Sequence, residues 1–220
     1  MRRLVRENSL ALAALVLFAL ALAGQIATGF AESNSDREEH GEDPISLASY
    51  MTSGHFTEAI FENWESEFLQ MGAFVLLTVA LRQKGSPESK PLDGKQPEDA
   101  KPSPRRRNVQ WPVRRGGVVL KIYENSLGLA LIGFFLFSFA LHAVGGASVY
   151  NDDQQNHGGG EPVTALGYIG TSRFWFESFQ NWQSEFMSVG ALVVLSIFLR
   201  QKGSPESKPV DHSHDKTGSE

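Results

Sequence analysis

Two glutamates stand where a carboxylate could carry charge through an apolar layer. Wound as a helix at 100 degrees per residue, Asn63 to Arg82 gathers Asn63, Glu67, Gln70, Phe74 and Thr78 within about 80 degrees. A second stretch repeats this stripe as Asn181, Glu185, Ser188, Leu192 and Ser196. Lipid would not tolerate such a face, so it is expected to point into the helix bundle. It could form an ion or proton pathway, or act as glue between helices, where such contacts contribute only about 0.6 kcal/mol. Glu67 lies about 22 Å along its helix from Arg82, and Gln25 about 25 Å from Asn8 on the preceding stretch. Gln25 could therefore meet Glu67. Its counterpart His142 could likewise meet Glu185.

A second set of ionisable residues follows the apolar stretches. Asn34, Asp36, His40 and Gly41 correspond to Asn151, Asp153, His157 and Gly158. If the helix continues outwards, Asp36 and His40 lie four apart on one face, and the glycine after the histidine ends it. Asp36, His40, Asp153 and His157 could make a metal or proton-sensing site. A helix exit with local hydrogen bonding is the simpler expectation. Ser46 and Thr164 are suited to cap short interfacial helices through Tyr50 and Tyr168. The chain has no cysteine, which excludes disulfides, thiolate metal sites and thiol nucleophiles. His212 and His214, in the acidic tail, read as solvated. No nucleophile–base pair, phosphate loop or metal quartet is present, so we expect neither enzyme nor cofactor.

The elements that must position these residues come in duplicate. Arg82 to Pro91 recurs letter for letter at Arg200 to Pro209. Phe61-Glu-Asn-Trp-Glu-Ser-Glu-Phe68 returns as Phe179-Gln-Asn-Trp-Gln-Ser-Glu-Phe186, and Glu7-Asn-Ser-Leu10 as Glu124-Asn-Ser-Leu127. This is the pattern of a tandem duplication. The mean hydropathy of −0.20 conceals apolar blocks: Leu10 to Ala23, Phe68 to Leu81, Gly128 to Ala143 and Phe186 to Leu199. A membrane-crossing helix needs about 20 residues. Asn8 to Phe30 and Asn125 to Ala147 reach that length. The other two must extend back through Trp64 and Trp182, whose rings would serve as interfacial anchors. Buried core helices of a soluble domain are the competing reading, and for the first block a cleavable signal peptide. Small residues should close each pair of helices: Ser9, Gly24 and Ala27 against Gly72 and Ala73, with Gly190 equivalent to Gly72.

Basic residues set the orientation. Arg2, Arg3 and Arg6 precede the first span; most of the rest lie between the second and third spans or after the fourth. Lys and Arg remain cytoplasmic, which places both termini and the central linker inside. The expected domains are a two-span hairpin at 1–91, a disordered linker at 92–122, a second hairpin at 123–209 and a cytoplasmic tail at 210–220. Arg105, Arg106, Arg107, Arg114 and Arg115, just before the third span, read as a topology signal that could also attract anionic lipid. With an acidic net charge of −5 and no suitable motif, nucleic acid is not an expected partner.

The Phe-x-Asn-Trp-x-Ser-Glu-Phe motif, the Glu-Asn start and the Arg-Gln-Lys-Gly-Ser stop resemble those of a family of uncharacterised bacterial integral membrane proteins, a domain of unknown function. The resemblance covers both units and implies no activity, cofactor or partner. The expected protein is all-α, with four transmembrane helices in two tandem hairpins of parallel orientation, in a bacterial inner membrane. A structural or interaction role in the envelope leads. A proton- or cation-conducting protein using Glu67 and Glu185 comes next, then an envelope sensor. A homo-oligomer or a complex with another membrane protein would suit any of these.

Overall fold

A computed structural model describes residues 2–94, 96–156 and 159–218. The described residues hold helices and no strand: α1 (Arg2–Glu7), α2 (Ser9–Glu39), α3 (Leu47–Tyr50), α4 (Gly54–Ala80), a 3-10 turn at Pro97–Asp99, α5 (Trp111–Arg115), α6 (Gly117–Glu124), α7 (Ser126–Asn156), α8 (Ala165–Ile169) and α9 (Ser172–Phe198). The segment expected to lack regular structure thus forms a 3-10 turn and two short helices.

The recurring sequences produce recurring backbone. Asn8 (φ −123, ψ 20) separates α1 from α2, and Asn125 (φ −112, ψ 8) separates α6 from α7. In each case the asparagine carbonyl accepts from an amide four residues on, Leu12 and Leu129, both at 2.9 Å. The identical stop segments also fold alike. Ser89 Oγ accepts from Gln83 N at 2.8 Å, and Ser207 Oγ from Gln201 N at 2.9 Å. Ser86 and Ser204 Oγ each accept from the amide two residues on, at 3.2 Å.

Against four expected spans, two helices among the described residues are long and apolar enough to cross a membrane, α2 and α7. At 31 residues each they measure about 46 Å. α4 and α9, at 27 residues, are long enough but open on polar halves, with Glu58, Glu62, Glu65 and Glu67 in one and Glu177, Gln180, Gln183 and Glu185 in the other. α2 has no buried residue.

The chain divides into two compact units, whose boundaries fall inside α4, α7 and α9. One comprises Met1–Phe61 and Ala140–Trp175, the other Glu62–Phe139 and Phe176–Glu220. In the first, Tyr50, Tyr168 and Phe174 are fully buried. Tyr50 meets Phe56 edge-on at 5.4 Å, and Tyr168 meets Phe174 edge-on at 5.6 Å. Both tyrosines need a glycine beside them: a methyl on Gly29 would overlap the Tyr50 hydroxyl, and one on Gly146 would overlap a Tyr168 ring carbon. Gly54 likewise lies against Gly145 O and Ser148.

In the second unit Phe68 stacks on Phe134 at 5.0 Å. Gly72 is buried against Ile132 and Leu131 as expected of a close helix contact, whereas Gly190 and, in the first unit, Gly24 face open space. Gly72 thus makes a close helix contact, but its neighbours belong to α7 and not to the first span it was expected to meet, and Gly24 and Gly190 make no such contact. The tail, too, is more than solvated chain. Lys208, 1 % exposed, donates to the carbonyls of Gly85 (2.6 Å), Ser213 (3.2 Å), His214 (3.0 Å) and Lys216 (3.1 Å). Arg200 donates to His212 O at 3.0 Å, and His214 Nδ1 lies 3.0 Å from Ile197 O. Gly85 N donates to Thr217 Oγ1 and Gly218 N to Ser86 O. Burial lowers the Lys208 pKa and Arg200 acts in the same direction, while Asp215 opposes them. The four carbonyl oxygens around it favour the ammonium and oppose that shift.

Candidate functional site

The first unit contains a cleft of about 270 Å³ lined by three of the ionisable residues singled out in the sequence, Asp36, His40 and Asp153, together with Arg37, Glu42, His55 and Asp152. The end of α2 brings the first of these. His40 caps α2, and Gly41 follows at φ 74, a left-handed conformation that lets the chain leave the helix. Two copies of one device then fix the loops. Asn34 donates to Ile45 O at 3.2 Å and accepts from Ile45 N at 2.8 Å. Asn151 donates to Val163 O at 2.9 Å and accepts from Val163 N at 2.8 Å. Each amide completes both hydrogen bonds of a residue outside regular structure, which would otherwise need another partner for its polar groups. Ser46 then caps α3 by accepting from Ser49 N, and Thr164 caps α8 by accepting from Gly167 N, both at 3.2 Å, as expected of those positions.

The charges of the cleft are largely matched. His40 Nδ1 lies 2.8 Å from Asp36 O and 3.6 Å from Asp36 Oδ1. The hydrogen bond to the Asp36 carbonyl, and then the Asp36 carboxylate, raise the His40 pKa, with Glu42 and Glu39 adding smaller pulls. Arg37 pairs with Glu42 at 2.8 Å and donates to Asp43 O. Arg173 pairs with Asp153, and His55 Nε2 stands 3.4 Å from Glu32. Among the described residues no three His, Asp or Glu side chains are grouped to hold a metal. Asp36 and His40 act locally, in a helix exit, and Asp153 is engaged by an arginine. His157 lies outside the described residues. The arrangement can exchange a proton at His40.

The polar stripe is not one interior face. Asn63, Glu67 and Ser188 are exposed, Gln70, Thr78, Asn181 and Glu185 are half-buried, and Ser196 is buried. Thr78, Ser188 and Ser196 donate to carbonyls three residues back in their own helices, a local bond open to any helical hydroxyl. In this part of α4 the buried carboxylate is instead Glu65, two residues before Glu67 and so about 200 degrees round the helix; it is fully buried and accepts from Trp182 Nε1 at 3.1 Å. Asn181 donates to Glu62 at 2.6 Å. Trp182 is thus a hydrogen-bond donor as well as a candidate anchor, and Trp64 packs edge-on against Phe68. Gln25 does not reach for a carboxylate. It donates to Ala59 O at 3.3 Å. His142, fully buried, stacks on Phe174 at 4.8 Å.

Sequence reasoning missed Glu58 and Glu65, both buried, as well as Lys208 and the two glycine–tyrosine contacts. The contacts had a signal, since Gly29 and Gly146, like Tyr50 and Tyr168, occupy equivalent repeat positions. Glu65 had none, because Gln183 replaces it in the second copy.

A family model for a domain of unknown function (DUF6766) matches residues 1–219, and the chain belongs to that family. No curated protein and no solved structure matches it.

Proposed function

We propose that this member of the DUF6766 family is a multi-pass protein of a bacterial inner membrane, built as two tandem helical hairpins, and serves as a structural or interaction protein of the envelope, not as an enzyme. The observation that carries the membrane reading is α2, a helix of 31 residues with no buried residue and with Leu10, Leu15, Leu17 and Leu20 each more than 60 % exposed. Water would not sustain so large an apolar surface. A hydrocarbon layer about 30 Å thick would cover it and leave its polar last turns outside. α4 and α9 would complete the hairpins. The exposed Glu67 of α4 then supports an interaction role, because a carboxylate at membrane depth calls for another protein surface. A second copy or another membrane protein would provide it.

Single cysteines test both parts against no native background. Cysteines at Ser35 and Asn156 should react with an impermeant reagent from outside intact cells, and one at Ser103 should not. A cysteine at Glu67 should cross-link to a neighbouring protein in native membranes. Outside labelling at Ser103 overturns the orientation, and a Glu67 site that contacts only lipid overturns the interaction role. Ion flux in proteoliposomes, lost in the folded E67Q/E185Q variant, would put conduction in its place.

A further inference from the structure

Between Lys101 and Tyr123 the chain has seven basic residues, Lys101, Arg105, Arg106, Arg107, Arg114, Arg115 and Lys121, and no acidic one. In a chain of net charge −5 this is a local concentration of positive charge. All five arginines are exposed. The same segment displays large apolar side chains: Trp111 is 62 % exposed, Val118 71 % and Ile122 56 %. Val118 and Ile122 stand four apart, on one face of α6, and the Arg115 guanidinium lies over the Trp111 ring at 5.6 Å.

The backbone assembles these residues into one small element. Pro112 opens α5, where its missing N–H costs no helical bond. Gly116 at φ 69 and Gly117 at φ 60 turn the chain in a conformation other residues rarely adopt, and α5 packs on α6. After Glu124, one residue, Asn125, separates α6 from α7, a helix apolar enough to cross a membrane.

Charge and apolarity select the partner together. A soluble polyanion would satisfy the arginines and leave Val118 and Ile122 in water. An anionic leaflet satisfies both, as headgroup phosphates accept from guanidinium groups and the acyl boundary takes up apolar side chains. We propose that the α5–α6 hairpin lies in the headgroup layer of an anionic leaflet, with Trp111, Val118 and Ile122 inserted and the five arginines on lipid phosphates. The inference rests on the membrane reading proposed above, in which α2 and α7 both span.

The test uses the full-length chain carrying a polarity-sensitive dye on Val118→Cys, reconstituted in phosphatidylcholine vesicles with and without phosphatidylglycerol. In anionic vesicles the emission should shift to the blue, and quenching by neutral acrylamide should slow by about tenfold, since each basic residue near such a surface adds several-fold to binding. Molar salt should reverse much of this, as the screening length falls from about 8 Å to about 3 Å. Replacing all five arginines with glutamine should abolish the dependence on lipid composition. A dye on Leu17→Cys, in α2, provides the control. If Leu17→Cys is shielded while Val118→Cys is equally exposed in both vesicles, the hairpin inference fails and the membrane reading stands. If Leu17→Cys is itself open to acrylamide, the membrane reading falls and takes the inference with it. Shielding of Val118→Cys by added RNA in place of anionic lipid also overturns it.

Discussion

Asn34 brackets Ile45, and Asn151 brackets Val163, with the same two hydrogen bonds. Gly29 makes room for Tyr50, and Gly146 for Tyr168. Ser46 and Thr164 cap the short helices that follow. Beside this common frame the charged groups diverge. Asp36 holds a histidine of its own helix end, while Asp153 holds Arg173 of α9. Gln25 bonds a backbone carbonyl where His142 stacks on an aromatic ring. The frame answers to backbone hydrogen bonding and tyrosine packing, which both loops need alike. The ionic contacts depend on whichever side chain arrives opposite, so they differ between copies of one plan.

The largest expected effect lies in the tyrosine packing. Gly29→Ala and Gly146→Ala should each destabilise the protein by about 3 kcal/mol, the upper part of the usual range for overpacking, as read by thermal unfolding in detergent. The copies should part on rescue. The overlap at Gly29 is with the Tyr50 hydroxyl, with Cζ at 3.2 Å, whereas at Gly146 it is with the ring itself, with Cζ at 2.8 Å. Tyr50→Phe should therefore recover much of the loss in Gly29→Ala, and Tyr168→Phe should recover none in Gly146→Ala. Equal rescue in both would break the distinction.

Loss of either amide clamp comes next. Asn34→Ala and Asn151→Ala should each cost about 2 kcal/mol, because a backbone N–H and C=O lose their partners together. A cost confined to one copy would show that the loops are not held alike. Smaller again is the helix contact. Gly72→Leu must displace Ile132 and should cost about 1–2 kcal/mol, while Gly190→Leu, in open space, should leave the unfolding temperature unchanged.

The smallest effect is one of pH. The His40 pKa is raised above 6.5, so protonated His40 favours the folded helix end. That contribution is fully present below the ordinary histidine value and is lost as pH rises through the raised one. The protection of the amides of Glu39 to Glu42, measured against their intrinsic base-catalysed exchange, should fall across that window. The region around Asp153 should stay unchanged, since Arg173 keeps its charge throughout. His40→Gln should remove the pH dependence.

Helix ends and caps were legible in the sequence because their causes are local. A glycine after His40, a hydroxyl at Ser46 and an asparagine at Asn8 act on amides within four residues. Helical periodicity also gave the correct angular spacing of Asn63, Glu67, Gln70 and Thr78. What it could not give was the absolute rotation of α4, which depends on neighbours far along the chain. Glu65 and Ser66 therefore occupy the buried side in place of Glu67. Lys208 escaped for a related reason, since three of its four carbonyls come from a tail whose composition suggests only solvated chain.

That Lys208 cage has a consequence for the order of events during synthesis. Gly85 leaves the ribosome well before Lys208, and Ser213, His214 and Lys216 emerge after it. The ammonium therefore cannot be sealed until Lys216 has emerged. A nascent chain stalled after Pro209 would hold a lysine bound for a dry site with one of its four oxygens, and would keep that end open to water. Closure around Lys208 is thus a mark that synthesis has passed Lys216, written into backbone carbonyls on both sides of the lysine.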